Sequence, residues 1–241
     1  MTKTDGCDAL GGRNKTAEEA GTLKRYEREN QFWDDVFGKD PLRFPGGKES
    51  GNEAFDRGLA WLTEEADTVL DFGCGSGTVL FLCFRHGTRR HIGIDLSSQA
   101  IEKAREKSRL APGGEYTFLC GGTELLPQVD AASADAAVLS NILDNLYPED
   151  ALFVLDEVKR ILKPGGRLLI KLNPFLTQEQ IREYGLRQLD EDLFDDGLIL
   201  WNKPTEVWDT LLSSRFALYQ YEEIWYEEHQ QSNRLYRVIK Q

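Results

Sequence analysis

The stretch richest in chemistry is VLDFGCGSG, residues 69–77, in which an apolar run reaches Asp71 and is followed by Gly73, Gly75 and Gly77. Glycine tolerates positive φ and lets a ligand approach the backbone. Alternate glycines between a strand and a helix therefore predict a tight turn with a ligand seated over the helix N-terminus. The dinucleotide fingerprint G-x-G-x-x-G requires glycine at 73, 75 and 78, but position 78 is Thr78, so the pattern is G-x-G-x-G. Asp71 adds an electrostatic argument. A carboxylate there would meet the doubly charged pyrophosphate of a dinucleotide, and like charges at short range are costly in a partly dry site. A nucleoside bearing an ammonium and a sulfonium is favoured instead. Asp95 closes the run HIGIDLS. It stands about 20 residues beyond the turn, where an acid accepting both hydroxyl protons of a ribose belongs.

These residues need a scaffold. From Asp67 the chain alternates short apolar runs with helical segments: TVLDFG, a helix from Ser76, HIGIDL, a helix from Ser97, YTFLC, DAAVLSNI, a helix from Pro148, and GRLLIKLN. Strands separated by helices predict β-α-β units and a parallel sheet covered on both faces, and right-handed crossovers narrow this to a doubly wound sheet. Ser97 suits a helix cap and Pro148 a first helical turn, while Gly165 and Gly166 suit the end of the helix carrying Leu152, Leu155, Val158 and Leu162. Two last strands, Phe216–Tyr226 and Leu235–Ile239, joined by the polar turn His229–Asn233, read as an antiparallel hairpin. The expected fold class is α/β: a doubly wound, mostly parallel seven-stranded sheet ending in a C-terminal antiparallel hairpin.

Around this core the sequence predicts a flexible tail over 1–16 and an N-terminal helical lid or appendage over 17–62. The core runs over 63–241, with a cap insertion at 174–215. The first helix runs from Thr16 to Phe37; its aromatics Tyr26, Phe32 and Trp33, with Phe44, pack it on the core and could also close a lid. The cap carries Phe175, Tyr184, Phe194, Trp201 and Trp208, which would govern substrate choice, and an acidic stretch, Asp190–Asp196, that reads as solvated surface. Asp144 and Asn145 read as a cap for the helix begun at Pro148, with Asn145 also near substrate.

Composition excludes several classes. The chain has 241 residues and 40% hydrophobic content, enough for a folded core. Its longest apolar run, Val79–Phe84, is far below the roughly 20 residues that span a bilayer, and no signal or transit pattern is visible, so a cytoplasmic protein is expected. Against 41 acidic residues stand 29 basic ones, a net charge of -12 with no Lys/Arg cluster, so no nucleic-acid partner is expected. Cys7, Cys74, Cys83 and Cys120 form no C-x-x-C pair and read as reduced thiols, and the separated His86, His91 and His229 predict no metal site.

Residues 67–173 resemble the catalytic core of the class I S-adenosylmethionine-dependent methyltransferases. VLDFGCGSG is similar to that family's first motif and HIGIDLS to its second. LCGGTELLP resembles the loop after the third strand, AAVLSNILDNL the fourth-strand motif, and LKPGGRLLI the junction into the fifth strand. The resemblance implies S-adenosylmethionine as cofactor. Gly73, Cys74 and Gly75 would pass beside its methionine part and Asp95 would hold the ribose. Leu96 would pack on the adenine, Gly122, Thr123 and Glu124 would read the adenine edge, and Ser140 and Asn141 would lie near the amino-acid end and the methyl group. Asp71 is counted with this set as the acid that favours a cation. One departure stands out. Many relatives carry an Asp where this chain has Gly122, so the adenine amino group must find another acceptor, such as Glu124.

The expected reaction is in-line transfer of a methyl group to a small organic acceptor, with no general base assigned. The rival readings are an NAD-dependent oxidoreductase, an aminopropyl transferase and a non-catalytic cofactor-binding module. The oligomeric state is open.

Overall fold

A computed structural model describes residues 25–39, 41–42, 44–111, 113–227 and 230–241. The expected tail, the start of the first helix, Cys7 and His229 lie outside the described residues. Two helices, α1 (Glu27–Lys39) and α2 (Glu53–Thr63), precede the sheet. Then follow β1 (Thr68–Phe72), α3 (Thr78–His86), β2 (Arg90–Asp95), α4 (Ser98–Ser108), β3 (Glu115–Cys120), β4 (Ala134–Ser140), α5 (Pro148–Ile161) and β5 (Leu162–Leu172). The cap contributes α6 (Gln178–Glu183), β6 (Arg187–Asp190), β7 (Leu193–Asp195), β8 (Ile199–Trp201) and α7 (Thr205–Ser213), and the chain ends on β9 (Ala217–Tyr226) and β10 (Gln231–Ile239).

The large sheet has the order β3-β2-β1-β4-β5-β10-β9. Its first five strands in that order run parallel, and β10 pairs antiparallel with both β5 and β9. This is the expected doubly wound α/β sheet with its terminal hairpin. The chain winds outward from β1 through β2 to β3, then returns to add β4 on the other side of β1. That reversal opens a crevice at the carboxyl ends of β1 and β4, the place where open α/β sheets bind ligands.

Strand alternation divides the core. Leu70, Ala137, Leu168 and Ile170 face the side packed by α5 and α7, while Val69, Ala136, Val138 and Leu169 face the side packed by α2, α3 and α4. The capping signals act where the sequence puts them. The Ser97 hydroxyl accepts from the Ala100 amide, and Pro148 occupies the first turn of α5. Gly87, at φ 111°, ends α3 with its amide on the Cys83 and Phe84 carbonyls.

Three local expectations are corrected. Gly165 and Gly166 do not end α5, which stops at Ile161; they form a bulge inside β5, between the pairings Ala134↔Leu162 and Ala136↔Arg167. Gly165 takes φ 77°, and a Cβ on Gly166 would stand 2.8 Å from the Lys163 carbonyl oxygen, so both glycines serve that bulge. In the acidic stretch of the cap Asp190, Glu191 and Asp196 are exposed as expected, but Leu193, Phe194 and Asp195 are buried in β7, the middle strand of a three-stranded antiparallel sheet, β6-β7-β8. The final hairpin turn is tighter than expected, because β10 already begins at Gln231. Its polar Arg234 is buried yet satisfied, donating to the Asn173 carbonyl at 2.9 Å and the Lys203 carbonyl at 2.7 Å.

Candidate active site

The crevice holds a cavity of about 290 Å³. Its floor is the set of strand ends and turns: Phe72 and Gly73 after β1, Gly75, then Ile94, Asp95 and Leu96 after β2, Gly121 to Glu124 after β3, and Ser140 to Ile142 after β4. Gly73, Gly75 and Gly77 take φ of 79°, 52° and 78°, conformations that L side chains rarely adopt. The Gly73 and Cys74 amides donate to the Ile94 carbonyl at 2.8 and 3.1 Å, pinning the turn to the end of β2. A Cβ on Gly75 would reach within 2.8 Å of the Phe37 ring.

Asp95 is held by backbone. Its Oδ2 accepts from the Gly75 amide at 2.7 Å and its Oδ1 from the Ser97 amide at 2.9 Å. Burial raises its pKa, against the pull of these two amides, and the nearby Asp34 raises it further. Each carboxylate oxygen keeps a lone pair, so the group can still accept two hydroxyl protons. Glu124 folds back so that Oε1 accepts from the Gly122 amide at 2.8 Å, while its Oε2 is buried without a hydrogen-bond partner. A buried, unpartnered carboxylate oxygen on a cavity wall calls for a donor from a ligand. Asn141, a non-glycine residue at φ 54°, is fixed by its amide on the Lys171 carbonyl at 2.8 Å. It accepts at Oδ1 from Asn233 at 3.4 Å.

Of the residues singled out in the sequence, Gly73, Gly75, Asp95, Leu96, Gly122, Thr123, Glu124, Ser140 and Asn141 are brought together on this one wall. Asp71 and Cys74 are not. Leu70 and Phe72 face the cavity side of the sheet, so Asp71 between them turns to the opposite face, fully buried with Oδ1 unpartnered. Burial, with a smaller push from Asp95, raises its pKa to about 8, which leaves the carboxyl mostly protonated at neutral pH. It therefore presents no charge directly to a ligand. Cys74 packs downward: a Cβ on Gly93 would lie 2.8 Å from its sulfur, and burial pushes the thiol pKa well up. It serves as a small core residue under the turn.

The roof departs further from the expectation. Tyr26, just before α1, and Glu29, Trp33 and Phe37 on it line the cavity at steps of three or four residues, which set them on one stripe. Of the four aromatic lid residues expected, Tyr26 and Trp33 reach the cavity, whereas Phe32 is exposed and Phe44 packs on Phe81, ring centroids 5.1 Å apart. Glu29 and Phe37 are additions that the stripe itself could have revealed. Three straps hold α1 down. The Arg28 guanidinium donates to both oxygens of Asp195 in β7, at 2.8 and 2.9 Å. This bond, with Arg187 on the same carboxylate, holds Asp195 well below the usual carboxylate range. The Tyr26 hydroxyl donates to Asp150 at 2.7 Å, and the Asp34 carboxylate accepts from the Ser97 hydroxyl at 2.6 Å and the Gln99 amide at 3.1 Å.

The cap aromatics do not line the cavity. Phe194, Trp201 and Trp208 are buried in cores, and Phe175 and Tyr184 are exposed; Leu198 is the cap residue on the wall. Asp144 and Asn145 do not cap α5, whose N-cap Tyr147 makes no side-chain cap bond. Asp144 instead accepts from the Asn173 amide at 2.6 Å, and burial raises its pKa to about 6. Asn145 lines the cavity and donates to the Ile199 carbonyl at 2.9 Å, tying the wall to β8.

Comparison with known proteins agrees with this geometry. Residues 70–170 match the family described as a methyltransferase domain. Over 176 residues the chain is 24% identical to the tRNA N(3)-methylcytidine methyltransferase trm140 of Schizosaccharomyces pombe, covering 69% of this chain and 57% of that protein. Over 117 residues it is 33% identical to the ribosomal protein L11 methyltransferase of Pseudomonas fluorescens, covering 46% of this chain and 37% of that protein. The chain thus spans between a third and three fifths of the length of these curated relatives. In fold it is similar to the crystal structure of Burkholderia thailandensis 1,6-didemethyltoxoflavin-N1-methyltransferase. The TM-score is 0.64 at 14% identity, covering 96% of this chain and 93% of that one. The glycine turn, Asp95 and the central strands lie within the segment, residues 70–170, that matches the methyltransferase domain family, in keeping with the resemblance of this region to the class I S-adenosylmethionine-dependent methyltransferases.

Proposed function

We propose that the protein transfers a methyl group from S-adenosylmethionine, its family's cofactor, to a small-molecule acceptor enclosed beneath α1. The observation that carries this reading is the single cavity that joins the glycine turn, Asp95 and Glu124 on its floor to the α1 stripe on its roof. At about 290 Å³ it is close to the ~300–1,000 Å³ of small-molecule sites. The residues fit the cofactor. The Gly73–Gly75 backbone forms a cradle with no room for side chains, Asp95 has lone pairs for the ribose hydroxyls, and the unpartnered Oε2 of Glu124 suits the adenine amino group that Gly122 cannot bind.

When bound, the cofactor supplies an activated methyl group on a good leaving group. The chain's own task is then to align and to dry the site, and orientation alone can supply ~7–11 kcal/mol of such a barrier. Asp95 and Glu124 fix the nucleoside at two ends of the floor. Asn141, locked by Lys171 and Asn233, stiffens the wall after β4. Trp33 and Phe37 line the cavity from above. The net charge of -12 supports a small acceptor over a polyanion such as tRNA.

Thermal shift with S-adenosylmethionine, S-adenosylhomocysteine and NAD tests the cofactor: the first two should stabilise the protein and NAD should not. A screen of acceptors with isotope-labelled methyl donor, read by mass spectrometry, tests the transfer; stabilisation by NAD alone would overturn the reading.

A further inference from the structure

The ionic character of the wall is one-sided. Among the described residues, the carboxyls that line the cavity are those of Glu29, Asp95 and Glu124, and no Lys, Arg or His side chain joins them. Asp95 and Glu124 belong to the floor and are committed to the nucleoside in the reading above. Glu29 belongs to the roof. It sits on the α1 stripe between Tyr26 and Trp33, and only 7% of its surface is exposed. A carboxylate so enclosed needs a donor or a positive charge to offset its lost hydration. Among the described residues Glu29 pairs with Arg28, which reaches its Oε1 at 3.1 Å but sends its fork to Asp195, which Arg187 also engages, and neither Arg28 nor Arg187 lines the cavity. Tyr26 and Trp33, which line the cavity on either side of Glu29 along the stripe, add the aromatic half of a recognition site for organic cations and amines.

We propose that Glu29, Tyr26 and Trp33 form the acceptor subsite and that the acceptor is a small amine, methylated on nitrogen. This rests on the proposed methyl transfer and names its substrate class. An acceptor presenting a carboxylate, phosphate, thiolate or phenolate would enter a cavity whose protein wall carries three carboxyls and no Lys, Arg or His to offset it. A neutral amine instead donates N–H to Glu29, leaving its lone pair for reaction. That lone pair forms the new N–C bond as the C–S electron pair stays on sulfur, and the extra proton then on nitrogen leaves through the Glu29 carboxylate to water.

The test uses the full chain saturated with S-adenosylhomocysteine, titrated calorimetrically with benzylamine and phenethylamine and with their shape analogues benzoate, phenylacetate and benzyl alcohol. The amines should bind at least tenfold more tightly than every analogue. Glu29→Gln should lower amine affinity tenfold or more while S-adenosylhomocysteine affinity stays unchanged. Asp195→Asn, which loosens the strap without touching the cavity carboxylate, should preserve the amine-over-carboxylate preference and so separates a lost charge from a displaced helix. Equal binding of amine and alcohol, absence of amine binding, or a Glu29→Gln variant with wild-type amine affinity would overturn the proposal. Failure of wild-type protein to bind S-adenosylhomocysteine would instead overturn the methyl-transfer reading on which it rests.

Discussion

The floor and the roof of the cavity are built by different physics. The floor is backbone: positive-φ glycines, amides on the Ile94 carbonyl, and a carboxylate held by the Gly75 and Ser97 amides. The roof is side chain: an amphipathic stripe on α1 held by Arg28, Tyr26 and Asp34 against three separate parts of the molecule. Backbone geometry tolerates few residue types and confines a ligand to one pose, whereas side-chain straps can be exchanged and released. The floor should therefore govern whether a nucleoside binds at all, and the roof what is admitted beside it.

The largest break falls on the floor. Asp95→Ala removes two hydrogen bonds of a charged acceptor at ~1.5–3 kcal/mol each, so S-adenosylhomocysteine affinity measured by calorimetry should fall ~10²–10⁴-fold. Gly75→Ala places a Cβ at φ 52° and against the Phe37 ring. The left-handed strain of ~1–2 kcal/mol adds to that clash, and chemical denaturation should show a stability loss of about 2 kcal/mol or more. Beneath the floor, Asp71→Asn gives a pH-dependent effect. A carboxyl whose folded pKa lies near 8 favours the fold while both states are protonated, below about 4, and that contribution is lost as pH rises toward 8. The variant cannot ionise, so its Tm advantage over the native protein should be absent near pH 4 and grow to a few degrees by pH 8. The smallest effect belongs to the roof. Asp195→Asn should leave global Tm nearly unchanged while amide hydrogen exchange in α1 speeds about fivefold, from the ~1 kcal/mol of a partly exposed ion pair.

The same division explains what could be read from the sequence. A glycine turn announces itself because the required residue type and its position coincide, and strand alternation with helix punctuation fixes the sheet order. The strand parity that carries Asp71 away from the cavity is equally legible, since Leu70 and Phe72 flank it. Side-chain roofs are harder. Selecting aromatics by type gathers Phe32 and Phe44 with Tyr26 and Trp33, and passes over Glu29, which only helical spacing places beside them. In the cap, Trp208 and Trp201 look like ligand-binding aromatics but stack edge to face at 5.1 Å in the core. The acidic run conceals Asp195, whose partner Arg28 lies 167 residues away along the chain. Pairings at that separation leave no local trace.

Ser97 is gripped from two directions: its amide by Asp95, its hydroxyl by Asp34 of the covering helix. If a guest that tightens the first grip favours the second, then by thermodynamic reciprocity the covering helix, once seated, raises the guest's affinity by the same factor. Occupying the floor and seating the covering helix are in that sense linked, through a single serine.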